Sequence, residues 1–223
     1  MWCIPPAHSA EFACAMENML EVYKRPYDPK RPVVCMDEKP KQLVKETRTP
    51  IACAAGRPRR FDYEYERNGT ANVFLFVEPL RGWRRVEATA RRTRLDGAQQ
   101  IKRLVDEDYP QADRITLVMD NLNTHSLASL YAAYEPAEAR RLIERLEPVH
   151  TPKHGSWLNV AEVELAALGK QSIGGRVSDA QMLQRQGKAL EHDRNAATVK
   201  VNWQFTAADA RIKLRRLYPE IQT

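Results

Sequence analysis

Two short apolar runs constrain this chain more than any other feature: Val33-Val34-Cys35-Met36, which ends in Asp37, and Ile115-Thr116-Leu117-Val118-Met119, which ends in Asp120. Four or five residues of this kind suit a strand buried on both faces and are too few for a buried helix. Between them, Tyr63, Tyr65, Val73, Phe74, Phe76, Val77, Val86, Ala88 and Ala90 are spaced for strands, with turns at Asn68-Gly69 and Arg81-Gly82. That pattern is an antiparallel meander. Asp96 can then cap a helix through Ile101, Leu104 and Val105. Beyond Asp120 follow a helical stretch from Leu127 to Tyr134 and a helix opened by Pro136 with Ala139, Leu142, Ile143 and Leu146 on one face. A short strand from Pro148 to Thr151, the loop Lys-His-Gly-Ser-Trp-Leu-Asn and a helix from about Asn159 to Lys170 complete the series. The order predicts an α/β fold: a mixed five-stranded sheet flanked by helices, with the first and fourth strands adjacent and parallel. Ligands of such sheets gather at the carboxyl ends of the strands, where Asp37 and Asp120 would both sit.

The flanks read as helical additions. Phe12, Met16, Met19, Leu20 and Tyr23 recur at spacings of three and four, and Pro26, Pro29 and Pro32 break that helix. Gly174-Gly175 marks a boundary, after which Met182 to His192 and Ala207 to Leu217 look helical. The expected division is residues 1–31 as helix and linker, 32–175 as the core and 176–223 as a helical extension. The longest apolar run, Val73 to Val77, is too short to span a membrane, and the N-terminus has no secretory pattern. Cys3, Cys14, Cys35 and Cys53 have neither zinc-finger nor disulfide-framework spacing, so reduced thiols in a cytoplasmic protein are expected.

Three acids on separate elements would suit hard divalent cations that clamp the attacking and leaving oxygens of a phosphodiester. Asp37 and Asp120 supply two, and Glu162, early in the helix after the last strand, can supply the third. A competing reading is local: Asn159 and Glu162 form an Asn-x-x-Glu capping pattern, and aspartates at strand ends often make turns. Glu164 lies two positions on, about 200° round the helix, so only one of the two glutamates can face a site. Glu162 shares its side with the small Ala166 and Gly169 and is the expected ligand, so Glu162→Gln should lose cleavage and Glu164→Gln should retain most of it, whereas under the capping reading Glu162→Gln would be nearly silent.

Val-Val-Cys-Met-Asp-Glu-Lys-Pro, Ile-Thr-Leu-Val-Met-Asp-Asn-Leu-Asn-Thr-His and Thr-Pro-Lys-His-Gly-Ser-Trp-Leu-Asn-Val-Ala-Glu-Val-Glu together resemble the catalytic domain of bacterial insertion-sequence transposases related to the mariner group, in the DDE superfamily. The resemblance covers nearly the whole chain from about Pro5. It implies a ribonuclease H-like fold and Mg²⁺-dependent cutting and joining of DNA at transposon ends, with Asp37, Asp120 and Glu162 as the catalytic and metal-holding acids. Mn²⁺ should substitute, since all three ligands are hard oxygens. The second and third acids stand 42 positions apart, wider than in the eukaryotic mariner relatives, and the helix near Pro136 can absorb the excess. The implied partners are transposon-end and target DNA and a second copy or full-length transposase, with no membrane, in a bacterial cytoplasm beside the nucleoid.

Charge supports a polyanionic partner. The chain carries 35 Lys plus Arg against 29 Asp plus Glu, and the stretch from Lys39 to Arg103 alone holds 16 basic and 7 acidic residues. Expected DNA contacts are Arg57, Arg59, Arg60, Arg84 and Arg85 from its clusters, and Lys39, which alternates onto the Asp37 side if the strand continues that far. His125, Lys153 and His154 are further candidates near the acids, His125 equally readable as a surface helix-start residue. Full-length relatives carry an N-terminal helix-turn-helix region, while 36 residues precede Asp37 here. A truncated, non-catalytic remnant that binds DNA or full-length transposase and inhibits transposition is therefore the competing function.

Overall fold

The computed structural model of the chain describes residues 8–120, 126–171 and 175–220. Helix α1, Ala10–Tyr23, starts where the Ser9 hydroxyl accepts the Phe12 N–H at 3.1 Å, and it buries Phe12, Met16, Met19 and Leu20, the side its spacing predicted. The chain then enters β1, Val33–Glu46, β2, Tyr65–Glu78, and β3, Trp83–Thr89, a meander joined at its second turn by Arg81-Gly82 as expected. Helix α2, Arg94–Arg103, leads to β4, Ile115–Met119. Two short helices follow, α3, Ala128–Ala133, and α4, Pro136–Glu144, then β5, Leu146–His150. Helices α5, Val160–Gln171, α6, Ala180–Ala196, and α7, Ala207–Lys213, complete the described chain.

The sheet order is β3-β2-β1-β4-β5, antiparallel from β3 to β1 and parallel from β1 through β4 to β5. This is the ribonuclease H-like arrangement, with the first and fourth strands side by side. Because side chains alternate across a strand, each sheet face builds its own core. Cys35, Val73, Leu75, Val77 and Val86 face α1, α5, α6 and α7, whereas Val34, Met36, Phe74, Phe76, Leu117 and Met119 face α2, α3 and α4.

Three local expectations are corrected. Strand β1 does not stop at Asp37 but runs on to Glu46, because β2 pairs with it residue by residue from Cys35↔Val77 to Glu46↔Tyr65. Asn68-Gly69 is not a hairpin turn: it lies inside β2, opposite the register shift between Gln42 and Val44, as a bulge in which Gly69 takes φ 82°. Helix α2 is capped by Thr93, not Asp96, since the two form a reciprocal box in which each side chain accepts the other's backbone N–H. Among the described residues, no helix is long and apolar enough to cross a membrane.

Candidate functional site

Asp37 occupies the point where the β1–β4 ladder opens. The two strands pair only over Val33–Cys35 and Thr116–Val118, and that register carried two residues further sets Asp37 beside Asp120. Neighbouring strands are about 4.8 Å apart, so two carboxylates are brought together where β4 ends and β1 continues. Asp37 Oδ1 accepts the Glu38 N–H at 2.9 Å, which orients the carboxylate along the strand.

Glu162 reaches the same place from the first turn of α5, and two bonds from other elements dictate where that helix begins. The Tyr23 hydroxyl of α1 donates to the Leu158 carbonyl at 2.8 Å. Asn159, buried at the helix start, accepts the Ala161 N–H through Oδ1 at 3.0 Å and donates from Nδ2 to the Met36 carbonyl at 2.9 Å. One amide thus caps α5 and straps it to β1 at the residue before Asp37. The capping-box alternative for Glu162 is not realised, because the Asn159 N–H that it would require donates to the Ser156 carbonyl at 2.8 Å. Glu162 Oε2 is instead buried with no hydrogen-bond partner.

Asp37, Glu38, Lys39, Asp120, Ser156, Glu162, Leu165 and Ala166 line one open cleft of about 330 Å³. Burial pushes the Asp37 carboxyl up to about 7, the Glu38 N–H opposes that rise, and the negative charges of Glu38, Asp120 and Glu162 reinforce it. No three His, Cys, Asp or Glu side chains among the described residues already stand close enough to form a cage for a metal ion. The donor set nevertheless fits a hard divalent cation: carboxylates from β1, the end of β4 and α5 share a cleft, one of their oxygens is buried unpartnered, and their mutual repulsion favours added positive charge.

The other expected residues separate. Lys39 is exposed, lines the cleft and extends toward Gly169 of α5. Lys153 and His154 are exposed along a different groove, of about 480 Å³, against the start of α1. Arg57, Arg59 and Arg60 are exposed on the 47–64 connection, which folds back on itself through the bridges Ile51↔Arg60 and Ala54↔Arg57. His125 lies outside the described residues.

Arg84 and Arg85 are corrections. The Arg84 side chain is 0% exposed and donates to Glu164 Oε2 at 2.8 Å and to the Val199 carbonyl at 2.6 Å. Arg85 is buried on the other sheet face, 2.7 Å from Asp108 and stacked over Phe76. Neither side chain is exposed to a phosphate, because both faces of β3 are covered where Arg84 and Arg85 lie.

Three residues had escaped sequence reasoning. Glu38 adds a fourth carboxylate to the cleft wall and lies 3.7 Å from Arg92. By strand alternation its side chain leaves β1 on the face opposite Asp37. His150 stands beside Met119 in the β4–β5 register, with Nδ1 3.3 Å from the Asp120 carbonyl oxygen. Asn159 was legible as a cap but not as a strap, since nothing local points to Met36.

A family model described as DDE superfamily endonuclease matches residues 32–184. The chain is also similar to solved structures of the mariner Mos1 transposase. For the Mos1 paired end complex with Mg, the TM-score is 0.57 at 16% identity, covering 99% of this chain and 66% of that one. The Mos1 paired end complex with Mn gives 0.55 at 14%, covering 88% and 60%, and the Mos1 strand transfer complex gives 0.51 at 15%, covering 85% and 61%. The chain thus spans about three fifths to two thirds of the length of these structures, and at such identities the likeness is one of fold. No curated protein matches the chain.

Proposed function

The chain belongs to the DDE superfamily of endonucleases, and from that membership we propose that it is a transposase catalytic domain that cuts and joins DNA at element ends, with Asp37, Asp120 and Glu162 as the acids that hold divalent cations. The observation that carries the proposal is the meeting of these three carboxylates in one cleft, with the Asp37 proton retained to about 7 by burial and by its neighbours' charges. Mg²⁺ or Mn²⁺ bound there would make a coordinated water acidic enough to attack a phosphodiester and would stabilise the departing 3′ oxygen.

The chain's own residues then have separable tasks. Asp37 would help to hold the cation as a carboxylate, releasing the proton that burial and its neighbours' charges retain in the metal-free chain. Asp120 and Glu162 would complete the donor set, Glu162 with an oxygen that no protein donor occupies. Leu165 and Ala166 form the apolar part of the cleft wall beside these charges. Lys39, at the rim, is placed to meet a phosphate oxygen of the bound strand. The similar Mos1 structures are paired end and strand transfer complexes, two of them with Mg or Mn, which supports DNA as substrate and a divalent cation as cofactor. The test is cleavage of supercoiled and end-containing DNA by the purified chain with Mg²⁺ or Mn²⁺, against Asp37→Asn and Asp120→Asn. Metal-dependent nicking lost in both variants is expected; nicking that survives either substitution would remove the assignment.

A further inference from the structure

Glu164 lies two residues from Glu162 on the opposite side of α5, where it is buried between Arg84 of β3 and Arg194 of α6. Arg84 Nε donates to Glu164 Oε2 at 2.8 Å, and Arg194 donates to both carboxylate oxygens at 3.3 Å. Burial alone would raise this carboxyl, yet the two guanidinium groups hold it below the ordinary glutamate value. We propose that Glu164 is a positioning residue: its ion triad fixes the rotation of α5 about its axis and thereby aims Glu162 into the acid cleft. The proposal rests on the metal-site reading given above, and it reverses the expectation, drawn from helix geometry alone, that Glu164→Gln would retain most of the cleavage.

The argument is one of lever arms. A side chain on a helix reaches about 5 Å from the axis, so a roll of about 10° displaces a carboxylate by about 1 Å, and a site of this kind tolerates only about 0.5 Å. Ala161, Leu165 and Leu168, the apolar contacts of α5, resist separation from the sheet but are not directional. Charge-assisted bonds are directional, and these pull on the side of α5 opposite Glu162.

The triad also refers α5 to a rigid frame. Arg84 is held by the Gly82 and Val199 carbonyls as well as by Glu164. Its strand is joined along its edge to α6: Asn195 accepts the Arg84 N–H at 2.7 Å and donates to the Arg84 carbonyl at 2.8 Å, Glu191 accepts the Val86 N–H at 2.6 Å, and Gln184 accepts the Ala88 N–H at 2.5 Å. This close approach requires Gly187, where a Cβ would come 2.8 Å from Val86 Cγ1. Helix α6 therefore covers the β3 edge of the sheet and contributes Arg194 to the support of the acid-bearing helix.

The experiment measures Mn²⁺ binding by electron paramagnetic resonance, alongside circular dichroism and thermal unfolding in EDTA and DNA nicking. Three proteins are compared with the full wild-type chain: Glu162→Gln, Glu164→Gln, and the triple variant Arg84→Met, Glu164→Leu, Arg194→Met. The triple variant is included because a buried charge left without its partner can unfold a protein, whereas apolar replacement of a whole ion triad commonly preserves the fold. The expected result is that the triple variant folds with wild-type thermal stability or better, yet binds Mn²⁺ at least tenfold more weakly and nicks DNA at least tenfold more slowly. Glu164→Gln, if folded, should match it. Wild-type Mn²⁺ affinity in the folded triple variant would overturn the proposal, and so would failure of that variant to fold, since the triad would then be a requirement of the fold. Glu162→Gln separates the premise from the inference: if it binds Mn²⁺ as the wild type does, the metal-site reading falls whatever the triad does.

Discussion

Asp37 keeps its proton far above the usual aspartate range because burial and then the charges of Glu38, Asp120 and Glu162 outweigh the one N–H that it accepts, and the pH dependence of the fold follows from that. Its folded value is about 7 against the ordinary 3.8, so between those limits the folded, metal-free chain holds a proton that the unfolded chain has released. Stability is thus greatest below about pH 4 for this group and is lost as pH rises toward 7, by up to about 1.4 kcal/mol per pH unit. Asp37→Asn removes this term. In urea denaturation with EDTA, its stability should change less than the wild type's between pH 4 and pH 8, and at pH 8 the variant should be the more stable protein, although its cleavage falls at least about a hundredfold. Equal pH slopes for the two proteins would show that Asp37 does not titrate as described. The same residue was legible in the sequence because an apolar run ended on it. Arg84 and Arg85 were not, because a basic cluster looks solvated until the partners that bury it, Glu164 and Asp108, are brought in from elsewhere in the chain.

The elements behave similarly: their order could be read and their ends could not. Val33–Met36 and Ile115–Met119 announced two buried strands through their apolar pattern, and Pro136 opened a helix where expected. The outer half of β1, Lys39 to Glu46, is mostly polar and is held by backbone pairing to β2, which leaves no hydrophobic signature. Asn68-Gly69 carries the composition of a hairpin turn, yet the same φ > 0 preference serves a bulge equally well. At this scale the most informative element is the start of α5, where Asn159 joins the helix to β1. Asn159→Ala removes both a helix cap and the bond to the Met36 carbonyl, and it should cost about 1–3 kcal/mol of stability. Asn159→Asp keeps the acceptor for the Ala161 N–H, loses the donor to Met36 and adds a negative charge near Asp37. Buried against a carbonyl oxygen, that charge should cost at least as much stability at pH 8 as Asn159→Ala does. The deficit should shrink as pH falls and the new carboxyl takes up a proton, and cleavage should be lost as severely as in Asn159→Ala. Chemical denaturation and nicking on both variants test this, and an Asn159→Asp protein with wild-type cleavage would mean that the strap does not matter to the site.

For the whole molecule, the charge distribution matters more than its total. The net charge of +6 suits a polyanionic partner, but several of the basic residues from Lys39 to Arg103 are spent on protein contacts. Arg84 and Arg85 are buried, while Arg48, Arg92 and Arg103 pair with Asp62, Glu38 and Glu87. Arg57, Arg59 and Arg60 are exposed on the 47–64 connection and make no ion pair among the described residues. A basic stretch that looked uniform therefore resolves into a structural set and a solvent-facing set, and the two should respond differently to salt. Each phosphate neutralised adds about 0.9 to the slope of log affinity against log salt concentration on duplex DNA. Replacing Arg57, Arg59 and Arg60 together by Ala should therefore lower the magnitude of that slope by about 2 to 3, weaken binding to all duplexes alike, and leave thermal stability nearly unchanged because the residues are exposed. Replacing Arg85 by Met should do the opposite, lowering the unfolding temperature by stranding Asp108 while leaving the slope unaltered in protein that remains folded. Fluorescence anisotropy titrations at three salt concentrations, paired with unfolding curves, distinguish the two sets. A triple variant with the wild-type slope would mean that the DNA path runs elsewhere, and the groove lined by Lys153 and His154 would be the next surface to mutate.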